Sequence, residues 1–199
     1  MPRQARIVIP GTPHHITQRG NNRQIVFEED GDYLKYCFWI NKYASLNGLD
    51  ILAYCLMENH VHFIVLPSDQ ESLSKTFQMT HMRYAQYMNK KRASSGHLWQ
   101  GRFYSCAMDD RHFYQAVRYV ERNPMRSSLV KQAWDYCWSS ASWHVNPTEK
   151  SMICLRSNSI AEPSEWKEYL TETDPQFEQD FRAKTRKGQT PRNSELINE

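Results

Sequence analysis

The chain has 199 residues, a formal net charge of +3 and 40% hydrophobic residues, enough for one domain with a real core and a short appendage. Its five cysteines are odd in number and widely spaced with no Cys-x-x-Cys, which excludes a disulfide framework and a zinc ribbon. No apolar run approaches the ~18–20 residues of a membrane span and no leading segment has signal-peptide character, so a soluble cytoplasmic protein with reduced thiols and no membrane partner is expected.

Residues 1–13 are basic and irregular, with Pro10, Gly11 and Pro13 as breakers. His14 to Arg19 reads as a short strand, ending in Gly20-Asn21-Asn22-Arg23, a turn bracketed by two arginines. Glu28 to Asn47 reads as a helix, because Tyr33, Cys37, Ile40, Tyr43 and Ala44 recur at helical spacing, and Gly48 is placed to cap it. Ile51 to Pro67 holds two apolar runs around the polar break Glu58-Asn59, the pattern of a tight hairpin. A second helix is expected from Glu71 to Arg92, broken by Ala93-Ser94-Ser95-Gly96, and a strand at 102–107. A third helix should start at Asp109-Asp110, where carboxylates suit the positive end of the helix dipole, and stop at Asn123, because Pro124 disfavours a helical residue before it.

Trp134 to Ser140 is too aromatic for a free linker and is expected to pack back on the core. Glu165–Leu170 and Phe177–Lys184 read as short helices, and Lys187 to Glu199 as disordered. This order of elements predicts an α+β fold: a ferredoxin-like sandwich with an antiparallel sheet of four to five strands packed with helices. The expected division is a domain over 1–147 and a C-terminal extension over 148–199.

Two constellations carry chemistry. Strand side chains alternate faces, so His60 and His62 project from one face about 7 Å apart and can chelate one divalent metal. A pair of hydrogen-bonded core histidines is the plain alternative. In the third helix Tyr119 and Asn123 are four apart and share a face. The Asn123 carboxamide oxygen could complete a site for magnesium or manganese. A phenol with its pKa near ~10 becomes a useful nucleophile only beside a cation or base. Arg118 and Arg122 lie on nearby turns and could neutralise phosphates. From Glu71 to Lys131 there are 11 Lys/Arg against 4 Asp/Glu, a basic middle that fits a polyanion partner.

With these residues in hand the chain resembles the single-tyrosine HUH transposases, specifically the REP-associated tyrosine transposases. The likeness rests on Gly11–Arg23, Tyr54–Leu66 with His60-Val61-His62, Leu98–Phe103 and Tyr119–Pro124, in the right order over roughly residues 5–145. It implies a DNA-cleaving and rejoining enzyme that acts on single-stranded, hairpin-forming REP-like palindromes. Carried over residue by residue, it implies His60 and His62 as ligands of a divalent metal, Mg2+ or Mn2+, and Tyr119 as the nucleophile that becomes joined to a 5′ phosphate. Asn123 stands where related enzymes often have glutamine as a further ligand, and it is one methylene shorter. Arg19, Arg23, Lys90, Lys91 and Arg92 become candidate backbone contacts; Trp99 becomes a stacking platform, and Gln100 and Arg102 can reach bases or phosphates. The resemblance leaves monomer and homodimer open and places the protein at the nucleoid. Two further readings are a non-catalytic DNA-binding regulator of the same fold and an HUH nickase of replication.

Overall fold

The computed structural model describes residues 7–156 and 163–187. Its sheet has four strands, β1 (His14–Arg19), β2 (Leu49–Met57), β3 (His60–Pro67) and β4 (Tyr104–Ala107), in the spatial order β2-β3-β1-β4. Every pairing is antiparallel. The crossovers are α1 (Asp30–Leu46) after β1 and α2 (Ser72–Lys91) after β3, while α3 (Asp110–Glu121) follows β4. This is the expected ferredoxin-like α+β sandwich.

Alternation along β3 divides the molecule. Val61, Phe63 and Val65 join the core shared with α1 and α2, with Tyr36, Phe77 and Tyr84 among its largest members. His62 and Ile64 face the opposite way, Ile64 into a second core with Val117, Tyr119 and Val120 of α3. Along β2 the same division survives a one-residue irregularity between Ile51 and Ala53. Leu52 and Ala53 both belong to the second core, after which Tyr54 and Leu56 return to the first. A bulge of this kind lets one strand serve two cores without a slip that would turn every side chain over.

The local signals acted as their chemistry requires. Gly48 follows α1 at φ +59°, the left-handed geometry of a helix stop, and a Cβ there would strike the Ser68 side chain. At the other end of α1, Glu29 and Asp32 form a capping box. Asp32 is fully buried and accepts from Lys91 Nζ at 2.8 Å and Tyr87 Oη at 3.0 Å, which ties the end of α2 to the start of α1. The aromatic segment after Trp134 does pack back. Leu56 N–H donates to the Trp138 carbonyl and Ser140 N–H to the Tyr54 carbonyl, extending the free edge of β2.

The expected stop at Asn123 needs correcting. The third helix ends at Glu121, and after Arg122 a separate turn, α4 (Asn123–Arg126), begins with Pro124 in its first positions. The helix thus stops two residues earlier than expected, and Pro124 opens a new turn, where its missing N–H has no intrahelical acceptor to lose. Beyond it lie α5 (Ala141–Val145), α6 (Pro163–Thr171) and α7 (Pro175–Lys187). Of the tail expected to be disordered, residues 188–199 lie outside the described residues. Among the described residues no helix is long and apolar enough to cross a membrane, and all five cysteines are free thiols.

Candidate active site

The two-residue turn Glu58-Asn59 places Met57 opposite His60, so β3 opens with its first histidine at the rim of the sheet. His60 and His62 then stand on one face with ring centroids 5.0 Å apart. Both are held at Nδ1. His60 Nδ1 lies 2.6 Å from Asn59 Oδ1, while Asn59 Nδ2 donates to the Arg23 carbonyl at 3.3 Å. Because the amide nitrogen is spent on Arg23, the amide oxygen faces His60, so the His60 proton sits on Nδ1 and Nε2 keeps its lone pair. His62 Nδ1 lies 2.9 Å from Nε2 of a third histidine, His15, whose ring is nearly coplanar with it, centroids 5.2 Å apart.

Burial governs the charge of this cluster. It pushes His15 and His60 down to about 3, with Arg19, Arg126 and Arg182 adding to the effect at His60. The same cause holds His62 well below its ordinary value, reinforced by the neighbouring histidines. All three are therefore neutral at physiological pH, the form in which imidazole donates a lone pair.

Across from the pair, α3 presents Tyr119, 4% exposed, its ring edge-on to His62 at 6.0 Å. The histidines, Tyr119 and Asn123 line one cavity of about 570 Å³ together with Arg19, Arg126 and Arg182. The structure thus brings the two sequence constellations to one place. The far wall comes from α7, which contributes Glu178 and Gln179 and sets Phe181 against Tyr119 at 4.7 Å and against His15 at 4.8 Å.

Asn123 does not present a free oxygen. Its Oδ1 accepts from Arg126 Nη2 at 2.5 Å, and its Nδ2 donates to the carbonyls of Tyr119 and Val120. The Arg126 guanidinium also lies 3.8 Å over the Tyr119 ring. Sequence reasoning missed Arg126, Asn59 and His15. Arg126 sits three residues past Asn123 on the turn that Pro124 begins, and no spacing rule for an uninterrupted helix reaches it. Among the described residues no three His, Cys, Asp or Glu are grouped to hold a metal. The donor set for a divalent ion is therefore two imidazole nitrogens, a chemistry that fits Mg2+ or Mn2+ only with oxygen ligands added from outside or from Asn123.

The expected DNA contacts separate into two groups. Arg19 lines the cavity, Arg23 is exposed at the adjoining turn with φ +60°, and Lys90, Gln100 and Arg102 are exposed. Lys91, Arg92, Arg118, Arg122 and Trp99 are held by contacts within the fold. Lys91 is paired with Asp32 and Glu29, and Arg92 with Glu28 and the Ile25 carbonyl. Arg118 meets Glu172 and stacks on Tyr169. Arg122 donates to the carbonyls of Leu170 and Glu172, so both helix arginines clamp the C-terminal extension rather than flank the cavity. Trp99, expected as a stacking platform, is a core aromatic. It is 8% exposed, packs on His81 at 4.7 Å and donates its indole N–H to the His81 carbonyl.

The family described as "Transposase IS200 like" matches residues 11–123, from the breaker before β1 to Asn123. Among solved structures, a REP-associated tyrosine transposase bound to a REP hairpin is similar at 21% identity, with a TM-score of 0.64 over 79% of this chain and 93% of that one. A putative transposase from Deinococcus radiodurans R1 is 20% identical over 60% of this chain and 96% of its own, with a TM-score of 0.41, too low to bear on the fold. No curated protein matches the chain.

Proposed function

This chain belongs to the IS200-like transposase family, and from that premise we propose that it cleaves and rejoins single-stranded DNA at hairpin-forming, REP-like sequences, with Tyr119 as nucleophile and His60 and His62 as the seat of a divalent cation, Mg2+ or Mn2+. The observation that carries the reading is the meeting of Tyr119 with both histidines in one arginine-lined cavity. The fold shared with a hairpin-bound transposase supports hairpin DNA as the partner. The catalytic unit is residues 1–147, and 148–199 is an extension whose described helices α6 and α7 pack against it.

In this reading the Tyr119 hydroxyl loses its proton and its oxygen attacks the scissile phosphorus. The bond from phosphorus to the 3′ oxygen breaks, and that oxygen leaves as a 3′ hydroxyl, taking up through solvent the proton that Tyr119 gave to solvent. The product is a 5′-phosphotyrosine whose bond energy is kept for rejoining, so no nucleotide cofactor is consumed. The cation supplies Lewis-acid polarisation of the phosphate. Arg19, Arg126 and Arg182 supply positive charge in a partly enclosed site, where it acts more strongly than in water. A phosphate that draws the Arg126 guanidinium also releases Asn123 Oδ1, which then becomes available as a further oxygen donor. Arg19 at the cavity, Arg23 at the adjoining turn and the exposed Lys90, Gln100 and Arg102 are the DNA contacts of this reading.

The burial of Tyr119 beneath Phe181 favours one second reading, binding of hairpin DNA without cleavage. One experiment separates the two. Hairpin substrate labelled at either end, incubated with Mg2+ or Mn2+, should give a covalent protein adduct on the 3′-labelled fragment only, and Tyr119→Phe should abolish it. Wild-type protein that binds the hairpin and never forms the adduct would establish the second reading instead.

A further inference from the structure

The two cavity histidines are held at Nδ1 by partners of different kinds. Asn59 Oδ1 can only accept, which settles the His60 proton on Nδ1. His15 Nε2 can accept or donate, so the hydrogen bond to His62 alone leaves two arrangements. If His15 donates, His62 carries its own proton on Nε2 and has no lone pair to offer. If His15 accepts, His62 carries its proton on Nδ1 and its Nε2 matches that of His60. In either case Nδ1 of His15 is a buried atom with no hydrogen-bond partner among the described residues, an idle lone pair in the first arrangement and an idle N–H in the second. A buried polar nitrogen without a partner is rare, and it is tolerated where function repays it.

We infer that His15 is a positioning residue of the site: it accepts the Nδ1–H of His62, fixes that tautomer and ring plane, and so readies Nε2 of His62 to bind a divalent cation beside His60. The inference rests on the proposed metal-dependent reading and adds to it a third histidine, on a different strand. The surroundings are built for the task. His15 is 1% exposed and lies on central strand β1, opposite Ile64 and Cys106. It lies edge to edge with the His62 ring, within 10° of coplanar, and packs against Phe181. A ring packed in this way cannot turn to exchange its nitrogens, so the only adjustable feature is which atom carries the proton. Outer ligands that orient a metal-binding imidazole act through the same kind of bond.

Mn2+ binding to the full chain, followed by electron paramagnetic resonance without DNA, tests this by isosteric contrast. His15→Gln can place an acceptor where Nε2 stood, whereas His15→Asn reaches only the Nδ1 position and His15→Phe keeps a ring against Phe181 without any acceptor. The expected result is Mn2+ affinity within about threefold of wild type for Gln and about 10–100-fold weaker for Asn and Phe, with circular dichroism unchanged in the variants compared. Equal affinity in all three variants, or an equal loss in Gln and Asn, overturns the assignment. Wild-type protein that binds no Mn2+ overturns the metal reading of the cavity as well, so the two failures are distinct. Should Phe disturb folding, the comparison of Gln with Asn carries the test by itself.

Discussion

A guanidinium that faces a phenol ring and an amide oxygen at once has a third option when a phosphate arrives. Arg126 lies 3.8 Å over Tyr119 and 2.5 Å from Asn123 Oδ1, with only a distant carboxylate, Glu178 at 3.9 Å, opposing it. Charge-assisted contacts to phosphate are stronger than those to a neutral amide, so DNA should win Arg126 from Asn123. Arg126→Gln keeps the polarity and loses the charge. Its adduct-forming rate should fall about 100-fold, as expected for loss of one preorganised donor in an enclosed site. Its thermal midpoint should stay within about 3 °C of wild type, since a partly exposed ion pair contributes about 1 kcal/mol or less. Adduct rates equal to wild type would remove Arg126 from the chemistry. Arg126→Lys should recover only part of the rate, because an ammonium cannot reproduce the planar fork.

At the level of elements, α3 is held from behind by a buried carboxylate. Glu121 is inaccessible to solvent and accepts from Ser140 Oγ, His144 Nδ1 and Trp166 Nε1 at 2.5, 2.5 and 2.9 Å. It therefore joins α3 to α5 and to α6, two residues from Tyr119. Glu121→Ala would leave the His144 and Trp166 donors unpaired, with Ser140 Oγ keeping the Tyr54 carbonyl, and should cost about 3–5 kcal/mol in urea unfolding. Trp166→Phe removes a single donor and should cost about 1–2 kcal/mol. A loss under 1 kcal/mol for Glu121→Ala would mean that water replaces the carboxylate. Little of this was legible beforehand. Helical spacing located Tyr119 and Asn123 on one face, and period-two alternation paired His60 with His62, because those rules depend only on local backbone geometry. The partners of Glu121 come from 19, 23 and 45 residues downstream, and no local pattern encodes contacts that tertiary folding creates. The basic middle misled for the same reason. Lys91, Arg92, Arg118 and Arg122 look like a DNA face in the sequence, yet their carboxylate partners lie 54 to 64 positions away or on other helices.

For the molecule as a whole, a sheet covered on both faces forces polar chemistry into the interior, and that sets its response to acid. His15 and His60 are held at about 3 by burial, against an ordinary value of 6.5. The unfolded chain takes up a proton at each position as pH falls through 6.5, while the folded chain refuses both until near pH 3. Stability from these groups is thus complete above about pH 6.5 and is lost progressively down to about pH 3, at up to about 1.4 kcal/mol per pH unit for each histidine. The urea midpoint should fall steadily across that window and level out above it. His15→Phe, which keeps a ring against Phe181 and cannot titrate, should flatten the slope by about one proton. A midpoint that is constant from pH 6.5 to 4 would mean that the histidines are protonated in the folded chain. Cations on the pair would then be repelled rather than bound, so the acid profile bears on the cavity as directly as the chemistry does. Neutral imidazoles at physiological pH are the shared requirement of the fold and of the proposed cation site.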